Sequence, residues 1–313
     1  MKRSGNCHVH NENIHQHETH ALTGSKILYV VLLNLLITGS EFFGGLISRS
    51  LALLSDSMHN LSDVSSIIIS YFAHKISKKS ANERNTFGYK RAKVLAAFIN
   101  STTLMIIVVF LIKEAIERLI SPQIINTKIV LVIGTIGLFS NVLSMLLLKP
   151  HSSKDINIRS SYLHMLSDSL SSIAVILGSV MVHYLKLYRI DSILTIGIAF
   201  YIGKESVEMF LKTLRILMQS SPEDINIDEV VEKIRNIPEV ENVHHIHIWN
   251  LDDNIVFFEA HVNLKTDMNI STTMVVQKGI EKILHDFGIN HVTLQFEHNG
   301  CPDCNVISQR VNH

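Results

Sequence analysis

The chain has 313 residues, of which 47% are hydrophobic and only 18% charged, with a formal net charge of zero. That charge content is low against the roughly 25% of soluble domains, and mean hydropathy is +0.25, which argues against an ordinary soluble globule. Three cysteines make no disulfide framework for an extracellular domain.

Residues 1–25 read as a polar arm, without the apolar stretch of a cleavable signal peptide. Within it CHVHNENIHQHETH places five histidines in fourteen residues, a composition that binds metal without a packed core. Residues 26–218 then read as a membrane domain. A span needs about 20 mostly apolar residues. Six stretches qualify, at 27–47, 51–74, 94–112, 129–148, 162–185 and 193–217. The first and fourth are nearly free of charge, whereas the second and fifth are interrupted by polar motifs. The sixth carries Lys204, Glu205, Glu208, Lys212 and Arg215, so its second half is expected to leave the membrane or face a neighbour. Lys75, Lys78, Lys79, Arg84, Lys90, Arg91 and Lys93 crowd the second-to-third loop, and Lys149, Lys154 and Arg159 the fourth-to-fifth. The opposite loops are poorer in Lys and Arg, which places the basic side, and both termini, in the cytoplasm.

Residues 219–298 change character. SSPEDINIDEVVEKIRNIPEV shows helical periodicity, NVHHIHIWNL and NIVFFEAHVNL read as strands joined by a short turn, STTMVVQKGIEKILHDFG as a helix ending at Gly288, and HVTLQFE as a third strand. The α-β-β-α-β order suits a small α+β domain with helices on one face of a sheet. Strict alternation predicts His245 and His247 on one face and His244 on the other. The tail, 299–313, holds Cys301-Pro-Asp-Cys304, the spacing of half a zinc site.

Two nearly identical words stand inside the apolar runs. SDSMHNLSD puts His59 four residues before Asp63, and SYLHMLSDS puts His164 four before Asp168. On a helix such pairs share a face. Two nitrogens and two oxygens converging from paired helices suit a tetrahedral dication, zinc above all. Ionisable groups at membrane depth cost several kcal/mol and mark ion or proton pathways. A self-satisfied helix-packing bond explains one pair more easily than two matching ones. Asp56 is open to two readings, an ion or proton guide or a cap at the helix start. Asn34, Glu41, Asn100 and Asn141 read as helix-packing groups. Histidine titrates near neutrality and must be deprotonated to hold a metal, so metal and protons compete.

SLALLSDSMHNLSD, TFGYKRAKVLAAFIN, SYLHMLSDSLSSIAVI and VHHIHIW, in this order, resemble the signatures of the cation diffusion facilitator family, and the resemblance runs from about residue 25 to 297. It implies a homodimer with six spans per subunit in an α-helical membrane domain, followed by a ferredoxin-like cytoplasmic domain that binds metal. It places the transport site on His59, Asp63, His164 and Asp168, in the His-Asp form associated with zinc. It implies export of the dication from the cytoplasm against proton entry, and it makes His244, His261 and Glu297 the expected metal group of the cytoplasmic domain. Some animal relatives complete a CxxC site with an N-terminal His-Cys-His motif of the partner subunit. Here Cys7, His8 and His10 are similar but rearranged, so a shared site with Cys301 and Cys304 stands beside a redox pair or exposed thiols. KISKKSANERNTFGYK lacks the histidine of a further loop site found in some members, and LKPHSSKDINIRS is short, which favours a bacterial-type protein of the cytoplasmic membrane. A membrane metalloenzyme is disfavoured, since four protein ligands leave zinc no open position for water. A metal-sensing scaffold remains as the competing function.

Overall fold

The computed structural model describes residues 24–148, 156–300 and 306. Six long helices come first: α1 (Gly24–Ser48), α2 (Leu51–Ser77), α3 (Ala92–Ile120), α4 (Thr127–Leu148), α5 (Ile156–Leu185) and α6 (Arg189–Leu217). Even the shortest, at 22 residues, reaches about 33 Å, enough for a hydrocarbon core of about 30 Å. Large apolar side chains such as Ile67, Phe110, Phe139 and Phe200 lie on the outside of the bundle, the inverse of a soluble protein and the surface that lipid would cover.

By length and composition Ala92–Ile120, Thr127–Leu146 and Tyr162–Leu185 can each cross a membrane, and Leu35–Ser48 is an apolar segment of α1. The third helix holds an apolar stretch comparable to that of the fourth. It also runs beyond the expected span end at residue 112. Lys113 pairs with Glu117 and Arg118 with Glu114, one helical turn apart, so the helix continues on charge pairs where hydropathy has already fallen. Helices α3 and α6 pack most extensively, as do α4 and α5, while α2 touches α1, α3, α5 and α6. The polar helix therefore lies inside the bundle.

Its start is fixed by a residue far along the chain. Ser50 caps α2 by accepting from Leu53 N, and Asp191 of α6 accepts from Ser50 Oγ at 2.5 Å, Leu51 N at 2.8 Å and Ala52 N at 3.4 Å. The first amides of a helix have no partner within it, and here a buried carboxylate from another helix satisfies them.

The second unit is α7 (Ile227–Arg235), β1 (Val240–Asn250), β2 (Val256–Leu264), α8 (Ile270–Asp286) and β3 (His291–His298). Asn226 and Asn269 cap the two helices, and Gly288, at φ +79°, ends α8 in a conformation that disfavours other residues. Strand β1 pairs antiparallel with β2, and β2 parallel with β3, the parallel return being carried by α8. Asp252 shapes the hairpin turn by accepting from Asn254 N and Ile255 N, both at 3.0 Å. Ile234, Val243, Val262, Ile280 and Leu284 close the core between helices and sheet. The expected α-β-β-α-β order is what the chain forms.

Candidate metal centres

His59 and Asp63 project from one face of α2, and His164 and Asp168 from one face of α5. The packing of the helices brings all four together. His59 Nε2 lies 3.6 Å from both Asp63 Oδ2 and Asp168 Oδ1; His164 Nε2 lies 3.0 Å from Asp63 Oδ2 and 3.6 Å from Asp168 Oδ2. One atom each from His59, Asp63 and His164 falls within 4.8 Å of the others, a spacing from which a small cation can draw its ligands. Two carboxylates and two neutral imidazoles carry two negative charges, which one dication cancels. A neutral complex is far cheaper to hold in low dielectric than either part alone.

The four are not equally accessible. The side chains of His59 and Asp168 are 8% and 5% exposed, while Asp63 and His164 are 37% and 36% exposed. Asp63 lies further along α2, towards its end at Ser77, and His164 lies nearer the start of α5. Because α2 and α5 run in opposite senses, both exposed groups lie towards the side that carries the α/β domain. The two exposed groups of the site thus lie nearer that side, and the two buried ones further from it.

Asp56, buried, accepts from Ser171 Oγ at 2.6 Å and Ser172 Oγ at 3.1 Å, which ties α2 to α5. It lies a full turn inside a helix that begins at Leu51 under a Ser50 cap, so the reading of Asp56 as a cap is corrected. Glu41 accepts from Asn60 Nδ2 at 3.1 Å, joining α1 to α2 as expected of a packing group. The sequence reading passed over Ser171, Ser172 and Asp191. The first two had a detectable signal, since SDSLSS sets small hydroxyls one turn beyond Asp168.

A second group forms on the sheet face turned away from the helices. His261 Nδ1 lies 2.8 Å from Glu297 Oε1, and His244 Nε2 lies 3.4 Å from Glu297 Oε2. His244 is opposite His261 in the ladder, and the two rings are 5.4 Å apart. Asn242 Oδ1 sits 2.9 Å from His244 Nδ1, and a proton held there leaves Nε2 free for a metal. Burial pushes His244 below the ordinary histidine range, and the Glu297 carboxylate beside it pulls it back up. Gln295 donates to Glu297 Oε1 at 3.0 Å. The donor set of two imidazoles and a carboxylate fits a zinc ion with one further position to fill.

The expected alternation of the histidines does not hold. A register shift falls between His244 and His247, where His245 takes φ +52°. This bulge puts two residues between the inward-facing Val243 and Ile246 instead of one. His244, paired with His261, and His247, paired with Glu259, therefore share the outer face. The His245 ring lies 4.7 Å from that of His261 and 4.8 Å from that of His247. Cys7, His8, His10, Cys301 and Cys304 lie outside the described residues.

Residues 27–218 match the cation efflux transmembrane domain, and residues 222–299 match the cytoplasmic domain of cation efflux proteins. The chain is 33% identical over 295 residues to a cadmium, cobalt and zinc/H(+)-K(+) antiporter of Bacillus subtilis, covering 93% of this chain and 91% of the relative. It is 30% identical over 302 residues to the zinc transporter ZitB of Pectobacterium atrosepticum, covering 96% and 93%. It is 32% identical over 263 residues to the metal cation efflux system protein CzcD of Cupriavidus metallidurans, covering 84% and 83%. An integral membrane protein with a bundle of apolar helices and an α/β cytoplasmic domain, and a transporter rather than an enzyme, the chain belongs to the cation efflux family, the cation diffusion facilitators.

Proposed function

We propose that the chain exports Zn2+ from the cytoplasm in exchange for protons, by alternating access to a site made of His59, Asp63, His164 and Asp168. The observation that carries this reading is the convergence of both His-Asp pairs, each imidazole within 3.6 Å of both carboxylates. Zinc entering from the side of the α/β domain meets Asp63 and His164 first and is then enclosed by His59 and Asp168. Opening to the far side lets protons take the imidazole lone pairs, which weakens the site and releases the ion. The return of the protonated site completes the exchange. Protons are the counter-ion and the ion's charge is cancelled at every stage, so no bare charge crosses the bilayer.

The remaining assignments follow from this reading. Residues 1–25 form a cytoplasmic His-rich arm, 26–218 the membrane domain, 219–298 the metal-binding domain and 299–313 a tail with the CxxC. Both termini are cytoplasmic and the membrane is the bacterial cytoplasmic membrane. The protein works as a homodimer through its cytoplasmic domains, in keeping with its match to that domain of the family. His244, His261 and Glu297 hold a resident zinc, and Cys301, Cys304, Cys7, His8 and His10 form a shared terminal site.

The test uses vesicles holding the purified protein and a pH-sensitive dye. A pulse of external zinc should raise the lumenal pH as protons leave against entering zinc, and cadmium and cobalt should be compared at equal concentration. Zinc entry with no pH change would refute the exchange.

A further inference from the structure

A cavity of about 940 Å³ lies where the helices meet the α/β domain. One wall is the apolar end of α2 and start of α3, with Phe72, Ile76, Leu95 and Ile99 among its residues. The rim carries Arg84, Lys90 and Arg91 of the α2–α3 loop, and Trp249 and Phe257 close it from the sheet. Phe72, Leu95 and Ile99 are more than half exposed or at that level, so this wall continues onto the lipid-facing surface of the bundle.

The charge of the cavity is unbalanced. No carboxylate lines it among the described residues, and Glu83, the one acid of the loop, is not in its wall. Arg84, Lys90 and Arg91 form no ion pair among the described residues, and Arg91 Nε is buried without a hydrogen-bond partner. Arg91 also stands at the start of α3 without capping it through its side chain, so the positive end of that helix faces the same place. The loop itself is a folded turn. Asn82 and Asn85 both donate to the Tyr89 hydroxyl at 3.1 Å, and Gly88 takes φ +70° to close it. Phe87 meets Phe257 edge-on at 5.3 Å, and Phe257 stacks on Trp249. The loop that carries the cations is therefore held against the second domain.

A cationic rim over an apolar wall that continues into the bilayer matches an anionic amphiphile. We propose that this cavity binds one anionic phospholipid, with its phosphate between Arg84, Lys90 and Arg91 and its chains along the Phe72–Ile99 wall. Basic pockets at the end of membrane helices take such headgroups, and each Lys or Arg adds a roughly fivefold preference. Because the cavity is walled by both domains, the lipid would join the cytoplasmic domain to the bundle.

The chain's one tryptophan, Trp249, lines the cavity and serves as the reporter. The full-length protein in neutral detergent is titrated with phosphatidylglycerol brominated on the acyl carbons nearest the glycerol, and in parallel with equally brominated phosphatidylcholine. Trp249 should be quenched by the anionic lipid at concentrations about tenfold or more below those of the zwitterionic one. The exposed-residue variant Lys90→Gln should narrow that gap, and Arg84→Gln with Lys90→Gln should nearly close it. Equal quenching of the wild type by the two lipids overturns the proposal without any variant. So does a preference that survives the double variant with unchanged lipid-free emission. Relief of quenching by millimolar inorganic phosphate would also overturn it, by making the site one for free phosphate.

Discussion

Asp191→Ala removes the carboxylate that holds the start of α2. Two short hydrogen bonds are lost, from Ser50 Oγ at 2.5 Å and Leu51 N at 2.8 Å; the bond from Ala52 N at 3.4 Å adds little. Ser50 and Leu51 are 1% and 2% exposed, so water does not replace the lost acceptor. A buried donor left without a partner costs about 1–3 kcal/mol, which gives about 3 kcal/mol for the site. For a domain of this size that is a fall in Tm of about 6–12 °C. The assay is loss of helical circular dichroism on heating in detergent, with Ser50→Ala and the double variant beside it. Because the two residues share a bond, their effects should be less than additive. A fall below about 2 °C, or full additivity, would refute the view that Asp191 pins the helix. His59 lies further along the same helix, so the variant should also transport more slowly.

Three further outcomes are expected. Glu297→Gln removes the carboxylate shared by His244 and His261 and should weaken zinc binding by the isolated-site measure of equilibrium dialysis by roughly 10–100-fold or more, while flux continues. With zinc chelated, the α/β domain should lose stability as the pH falls below about 6.5. His244 has a lowered pKa when folded, so the unfolded chain binds the extra proton first, and stability rises with pH up to the unfolded value and is flat above it. Urea unfolding followed by Trp249 emission across this range checks the sign, and His244→Asn should flatten the slope. Ser171→Ala together with Ser172→Ala strips the two donors from buried Asp56 and should lower Tm by several degrees, measured as above; no change would show that Asp56 does not tie α2 to α5.

The twin motifs were readable because their logic is local. Four residues is one helical turn, so each His-Asp pair could be placed on one face before any packing was known. What joins the pairs was not local, yet the near-identity of the two words pointed to it. The cytoplasmic group depended on the family likeness, because Glu297 lies on a strand reached only after α8. The bulge at His245 was out of reach. One extra residue inverts the side of every neighbour, and its presence is set by pairing with β2 rather than by the histidines themselves. Asp191 was equally silent, an ordinary acid at the start of a helix whose partners are about 140 positions away. The full length of α3 lay outside the hydropathy signal: hydropathy reports where the membrane ends, and the helix is carried further by charge pairs.

The most direct test is zinc uptake into proteoliposomes with an acidic lumen, comparing wild type with Asp168→Ala. Asp168 is 4% exposed and lies 3.6 Å from both imidazoles, so in the proposed site its loss removes a ligand and one of the two charges that cancel the ion. The account predicts uptake that follows the imposed proton gradient in the wild type and is lost in the variant, which still inserts and dimerises. Equal uptake by the two proteins, or zinc binding with no transport in either, would contradict it and move the metal chemistry to the cytoplasmic domain.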